Sequence, residues 1–120
     1  MAARRLFEIG RGGFDPMRGV VVNALWDDLS VRDAGARLWP QTERLKAAAL
    51  AARLTGDAKY LAIAASAAEG ITRYLATPIP GLWYDRIDVA GKLVDEPAPA
   101  STFYHLVVAV AEISALARSG

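Results

Sequence analysis

The chain has 120 residues, a formal net charge of +1, 53% hydrophobic residues and no cysteine. This length suits one small domain, and the hydrophobic content excludes an intrinsically disordered chain. The balanced charge gives no support to binding of nucleic acid or of a membrane surface, and without cysteine there is no disulfide or thiolate metal site.

The chain begins with residues that predict a short helix over residues 2–10, terminated by the glycines Gly10, Gly12 and Gly13. No capping residue precedes this helix, so we expect the chain to be part of a longer domain. No secretory signal and no apolar run of roughly 18 residues is present, which favours a cytoplasmic protein without a membrane span.

A small β-hairpin is predicted next. Asp15-Pro16 indicates a turn, and the β-branched residues within 19–25 predict a strand. Residues 30–33 form its return strand across a turn at Asp27-Asp28.

Three longer helices are predicted after the hairpin. Pro40 suits the first turn of a helix over residues 40–54, and Gly56 terminates it. Asp57 is the expected cap of the next helix, which ends before Pro78. The apolar face of that helix has helical spacing. It comprises Tyr60, Ile63, Ala64, Ala67, Ile71, Tyr74 and Leu75.

Residues 78–100 predict a long loop, and Ser101 is the expected cap of a last helix that runs to about residue 118. Both central helices are rich in alanine, which buries little area per residue. Such helices need partners on more than one side. We therefore expect the chain to associate with a complementary N-terminal polypeptide or with further copies of itself.

His105 is the only histidine and lies where the proline-rich loop gives way to the last helix. Imidazole ionises near neutral pH and can therefore move protons. A helix N-terminus disfavours the imidazolium, so the neutral, base-competent form is expected here. The alternative is a histidine packed in the core. Whether His105 faces a pocket decides between the two.

Four segments carry a resemblance to a known family. They are RLWPQTE (37–43), LTGDAKYL (54–61), GLWYDRID (81–88) and EPAPASTFYHL (96–106). In order and spacing they resemble the N-acylglucosamine 2-epimerase family, which includes mannose isomerases, cellobiose 2-epimerases and proteins described as mannose-6-phosphate isomerases.

The resemblance covers essentially the whole chain. It implies an all-α fold, a partial (α/α)6 barrel of about four helices with the β-hairpin between the first and second helices. It also implies that residues 1–120 are the C-terminal portion of such a sugar isomerase or epimerase domain.

The activity that this family resemblance implies is aldose–ketose isomerisation or 2-epimerisation of mannose or mannose 6-phosphate. Such enzymes remove the proton at C2 and pass through an enediolate, without a metal or other cofactor. The resemblance makes His105 the catalytic base and a sugar or sugar phosphate the partner. The family's second principal histidine lies upstream of this chain, so we expect the chain alone to be inactive.

Seven residues are the candidates for substrate binding. They are Arg37, Trp39, Gln41, Glu43, Trp83, Asp85 and Arg86.

Each candidate has an alternative structural role. The tryptophans either stack on a sugar or pack in the core. Gln41 and Glu43 either bind sugar hydroxyls or the histidine, or they cap a helix. Arg37 either binds a carbonyl or phosphate oxygen, or pairs with a loop aspartate. Asp85 and Arg86 are candidates for pairing with each other, and Tyr104 is interpreted as packing.

Two other functions stay open. The chain is either a non-catalytic remnant that serves as an interaction module, or a glycoside hydrolase, which needs two facing carboxylic acids such as Glu43 and Asp85. One histidine with scattered carboxylates predicts no metal site. The run Gly10–Gly13 is not a phosphate loop, because no strand precedes it and no lysine-serine pair follows.

Overall fold

The computed structural model describes residues 2–120. Within this range the chain has four α-helices and three small antiparallel ladders, which confirms the all-α class and the open fragment of a helical barrel. The helices are α1 (Ala2–Gly10), α2 (Leu38–Thr55), α3 (Ala58–Leu75) and α4 (Ser101–Arg118). None of these helices is both long and apolar enough to span a lipid bilayer.

The ladders are formed by six strands of two or three residues. They pair β1 (Phe14–Asp15) with β2 (Val20–Val21), β3 (Ala24–Leu25) with β4 (Val31–Asp33), and β5 (Ala36–Arg37) with β6 (Arg86–Ile87).

Helix α2 lies at the centre and packs against both α3 and α4. It begins at Leu38, two residues before the predicted start. It ends at Thr55. The next residue, Gly56, has a φ of 67°, a left-handed conformation that glycine adopts without steric cost. The Asp57 side chain accepts a hydrogen bond from the Lys59 backbone N–H and caps α3, as predicted.

Alanine allows these helices to approach closely. The buried α2 and α3 residues include Leu45, Ala48, Ala64, Ala67, Ile71 and Tyr74. The predicted apolar face of α3 is therefore confirmed for most of its members. Leu75 is the exception, since it is 45% exposed at the last turn of the helix.

The predicted single strand over residues 19–25 is wrong, because the chain turns away from its first partner at Asn23. Val20–Val21 pairs with Phe14–Asp15, whereas Ala24–Leu25 pairs with Val31–Asp33. The Asn23 side chain accepts a hydrogen bond from the Arg37 N–H and donates one to Asp33. Because of these bonds Asn23 is fixed beside β4, and the segment over residues 19–25 forms two short strands instead of one.

Strand β6 lies inside the predicted loop and was missed, as was its partner β5. Ala36 opposes Ile87, and both are fully buried. The Tyr74 hydroxyl on α3 donates a hydrogen bond of 2.9 Å to the Ala36 carbonyl, and burial raises the pKa of this phenol. This short ladder therefore sits on the helical core and fixes where α2 begins.

The expected capping role of Ser101 is also wrong. Ser101 is the first residue of α4, and Ala100 occupies the cap position without a side-chain hydrogen bond. The first turn is instead held by backbone bonds from Thr102 and Phe103 to the carbonyls of Pro99 and Ala100.

Helix α4 leaves an apolar face uncovered. Phe103, Val107 and Val110 lie at helical spacing and are each at least half exposed. Only Thr102 and Ala109 of this helix are buried. An apolar face of this kind favours association in water.

We expect the isolated chain to self-associate through this face of α4. Sedimentation velocity should show association that rises with concentration, and a double substitution Val107→Lys and Val110→Lys should shift the chain to monomer. Val89→Lys, at a loop position with 70% exposure, is the matched control. A wild-type chain that stays monomeric at every concentration would contradict this expectation.

Candidate active site

A buried carboxylate joins the starts of α2 and α4. Asp85, only 3% exposed, accepts a hydrogen bond of 2.9 Å from Arg37 Nε and one of 3.1 Å from the Thr102 hydroxyl. Its backbone carbonyl accepts a bond of 2.7 Å from the Leu38 N–H, at the first residue of α2. Asp85 therefore ties together β5, the segment before β6, and the first turn of α4.

An open cavity of about 300 Å³ lies above this junction. Its lining residues are Arg37, Trp39, Ser101, Thr102 and His105. The Trp39 ring is 38% exposed, and its centroid lies 5.9 Å from that of the His105 imidazole. The sequence left open whether His105 faces a pocket, and the structure places its ring on this cavity.

Glu43 contacts the imidazole ring of His105 at Nδ1. Glu43 Oε1 lies 2.8 Å from His105 Nδ1 and 2.7 Å from Lys46 Nζ. An ionised carboxylate has no proton to donate, so Nδ1 is the donor in this contact. In the neutral imidazole the free lone pair then belongs to Nε2.

Glu43 is ionised at neutral pH. Burial by itself would raise the pKa of its carboxyl group, but the hydrogen bonds from Lys46 and His105 outweigh burial, and the pKa lies below the ordinary value of 4.5. The carboxylate is thus a hydrogen-bond acceptor at neutral pH.

Four of the eight predicted site residues come together around this cavity. Arg37, Trp39 and His105 line it, and Glu43 orients the histidine. Asp85 lies beneath it and is buried. The pairing of Arg37 with a loop aspartate, one of the two roles foreseen for it, is present and leaves part of the guanidinium exposed to the cavity.

The other three predicted residues lie away from the cavity lining. Gln41 is buried, and its amide bonds to the Val21 N–H, the Val21 carbonyl and the Arg37 carbonyl. Trp83 packs against the core and stacks on Phe103, at a centroid distance of 6.2 Å. These contacts are structural, since they fix β2 to α2 and the loop to α4.

Arg86 pairs with Glu96 through two hydrogen bonds of 3.1 and 3.0 Å, so the suggested pairing of Asp85 with Arg86 is wrong. Asp85 is buried next to Arg37 and Thr102, whereas Arg86 is on β6 and extends to Glu96, which separates the two side chains. The interpretation of Tyr104 as packing is also wrong, because Tyr104 is 67% exposed and touches His105 only edge-on.

Three residues at the site were not foreseen. Ser101 and Thr102 precede His105 by four and three positions, and Lys46 follows Glu43 by three. On a helix such neighbours share a face, so the spacing carried a usable signal.

Within residues 2–120 no three His, Asp or Glu side chains cluster closely enough to hold a metal ion. What the site offers is one imidazole oriented by a carboxylate, a partly exposed guanidinium, hydroxyl groups at a helix start and an indole face. These groups can bind a polyhydroxylated ligand and exchange a proton with it.

A model of the N-acylglucosamine 2-epimerase (GlcNAc 2-epimerase) family matches residues 1–109. The chain belongs to this family. The resemblance seen in the sequence motifs is thereby confirmed.

Two relatives illustrate the relationship. Over 115 residues the chain is 55% identical to the mannose-6-phosphate isomerase of Rhizobium meliloti (strain 1021), a match that covers 92% of this chain and 30% of that protein. It superposes on the crystal structure of a D-mannose isomerase with a TM-score of 0.82 and 26% identity, covering 92% of this chain and 29% of that one. The chain thus spans less than a third of the length of either relative.

We expect Glu43 to stabilise the fold at neutral pH and to lose this effect in acid. Its folded-state pKa lies below the ordinary value of 4.5, so the unfolded chain takes up the proton first as the pH falls. The stabilisation is therefore complete above the ordinary pKa and declines as the pH falls through the folded one.

Urea unfolding of the wild type and of Glu43→Gln, from about pH 7 to about pH 3, measures this difference. Below about pH 5 the gap in unfolding free energy should shrink as the pH falls. Glu69→Gln, at an exposed position on α3, is the matched control. A gap that widens as the pH falls below about 5 would refute the role assigned to Glu43.

Proposed function

We propose that this chain forms part of the active site of a sugar aldose–ketose isomerase or 2-epimerase, of the mannose or mannose-6-phosphate type, with His105 as a proton-transfer group. The observation that carries the proposal is the contact of 2.8 Å between Glu43 Oε1 and His105 Nδ1, at a cavity that Arg37 and Trp39 also line. The names of the two relatives support the substrate class.

In this mechanism His105 Nε2 takes the proton from C2 of the open-chain sugar. Glu43 holds the imidazole through Nδ1 and stabilises the imidazolium that forms. The electron pair left at C2 forms the C1–C2 double bond of an enediolate, while the C1 carbonyl oxygen becomes an oxyanion. The hydroxyl proton at O2 then moves to the O1 oxyanion, and His105 returns its proton to C1 as the C2=O bond forms, which gives the ketose.

Arg37 is the group that meets the developing negative charge. Its Nε is engaged by Asp85, which fixes the guanidinium plane, and 40% of its side chain is exposed. The remaining N–H groups are free to donate to the C1 oxygen, or to a phosphate in a phosphorylated substrate. Trp39 offers an exposed ring face on which the C–H side of a sugar can stack.

A single histidine serves one face of the substrate. Proton transfer between C2 and C1 on that face yields isomerisation, whereas inversion at C2 needs a second group on the opposite face. His105 is the only histidine in the 120 residues. We therefore expect the chain to act together with a complementary polypeptide segment, and to show no turnover alone.

The geometry does not favour a glycoside hydrolase. The two nominated acids, Glu43 and Asp85, are occupied by Lys46 with His105 and by Arg37 with Thr102, respectively. Neither is among the residues that line the cavity. A hydrolase needs two carboxyl groups facing the same bond.

A chimera tests the proposal. This chain replaces the matched segment of the Rhizobium meliloti protein, and ketose formation from mannose and from mannose 6-phosphate is measured. His105→Asn should lower kcat/KM by about a hundredfold or more, the usual contribution of a general base. Lys59→Gln, on the first turn of α3, is the control.

Two results would refute the mechanism. One is product formation that survives His105→Asn in a chimera whose parent is active. The other is an equal loss of activity in His105→Asn and Lys59→Gln, which would indicate damage to the fold rather than loss of a base.

A further inference from the structure

A second cavity, of about 520 Å³, lies between α1, α2 and α3. Its lining residues are Glu8, Arg11, Gly12, Phe14, Arg44, Ala62, Ile63 and Ser66. None of these lines the His105 cavity. Its volume falls within the range of small-molecule sites.

Arg44 is the central group of this cavity. It leaves α2 on a different face from Glu43, and its guanidinium lies 4.1 Å from the centroid of the Phe14 ring. Its one side-chain hydrogen bond is a long one, 3.3 Å to the Ser66 hydroxyl. Within residues 2–120 no carboxylate lies within 4.0 Å of it, so this half-buried cation has no ion-pair partner.

The charge around Arg44 is positive. Burial lowers the pKa of the Arg44 guanidinium, and the positive charge of Arg11 lowers it further. Glu8 is the acid among the described lining residues, and it already pairs with Arg11 at 2.9 Å and faces Lys59 at 3.8 Å. The cavity therefore has a surplus of cations and several N–H donors without acceptors.

We propose that this cavity binds the phosphate group of a small phosphate monoester, with Arg44 as the principal donor and Arg11 and Ser66 as further contacts. A planar guanidinium stacked on a ring is pre-organised to bind two phosphate oxygens at once. The donors are side chains, so the site does not depend on a glycine-rich phosphate loop. The apolar wall of Ala62 and Ile63 receives the organic part of the ligand.

Calorimetric titration of the isolated chain tests this proposal, with inorganic phosphate and with glycerol 3-phosphate as separate probes in chloride buffer of matched ionic strength. Saturable binding is expected for glycerol 3-phosphate, and weaker binding for phosphate alone. Arg44→Gln should weaken binding by about tenfold or more, and Arg11→Gln by less. Equal affinity for the two probes would show that a free anion is the ligand and would overturn the monoester assignment.

Two control variants make the test specific. Arg53→Gln removes another arginine of α2, one that pairs with Glu112, and should leave binding unchanged. Arg37→Gln removes the arginine of the His105 cavity and should also leave it unchanged. Circular dichroism without ligand establishes that each variant is folded, and Arg11 is exposed, so Arg11→Gln tests the site without disturbing the core.

Three further outcomes would overturn the proposal. The first is a binding heat that does not saturate. The second is an equal weakening of probe binding by Arg44→Gln and Arg53→Gln, and the third is a weakening of probe binding by Arg37→Gln alone. The last would place the phosphate in the His105 cavity. Because the chimera assay above substitutes His105 and leaves Arg44 unchanged, failure here would leave the proposed isomerase mechanism standing.

Discussion

The site depends on one buried carboxylate. Asp85 binds Arg37 and Thr102 through its side chain and Leu38 through its backbone carbonyl, and so fixes the starts of α2 and α4 against each other. Without an acceptor in this position, the buried Thr102 hydroxyl would be left without a partner, at a cost of about 1–3 kcal/mol. The half-exposed Arg37 would lose the contact that fixes its guanidinium. The cavity exists because these two helix starts are held side by side.

From this junction the two helices determine the rest of the geometry. Glu43 lies on the second turn of α2 and His105 on the second turn of α4, so packing of the helices brings the carboxylate to 2.8 Å from the imidazole. Lys46, one turn further along α2, keeps the carboxylate ionised. The histidine is thus held between a fixed acceptor on one nitrogen and an open cavity.

Most of the helical fold was predictable from the sequence, because its signals are local. Gly56, Asp57 and the spacing of Tyr60, Ala64 and Ala67 mark helix ends and a buried face without reference to distant residues. The ladder of β5 with β6 was not predictable, since it joins two-residue strands almost 50 positions apart. The contact of Gln41 with Val21 was not predictable either, because Val21 lies in a strand too short to show a pattern.

The single histidine permits a direct measurement of the central claim, which is that Glu43 fixes the imidazole with its proton on Nδ1 and leaves Nε2 free for the substrate. Nitrogen-15 NMR of the neutral imidazole distinguishes a protonated from an unprotonated ring nitrogen. We predict a protonated Nδ1 and an unprotonated Nε2 in the wild type. A spectrum in which neutral His105 carries its proton on Nε2 would contradict it.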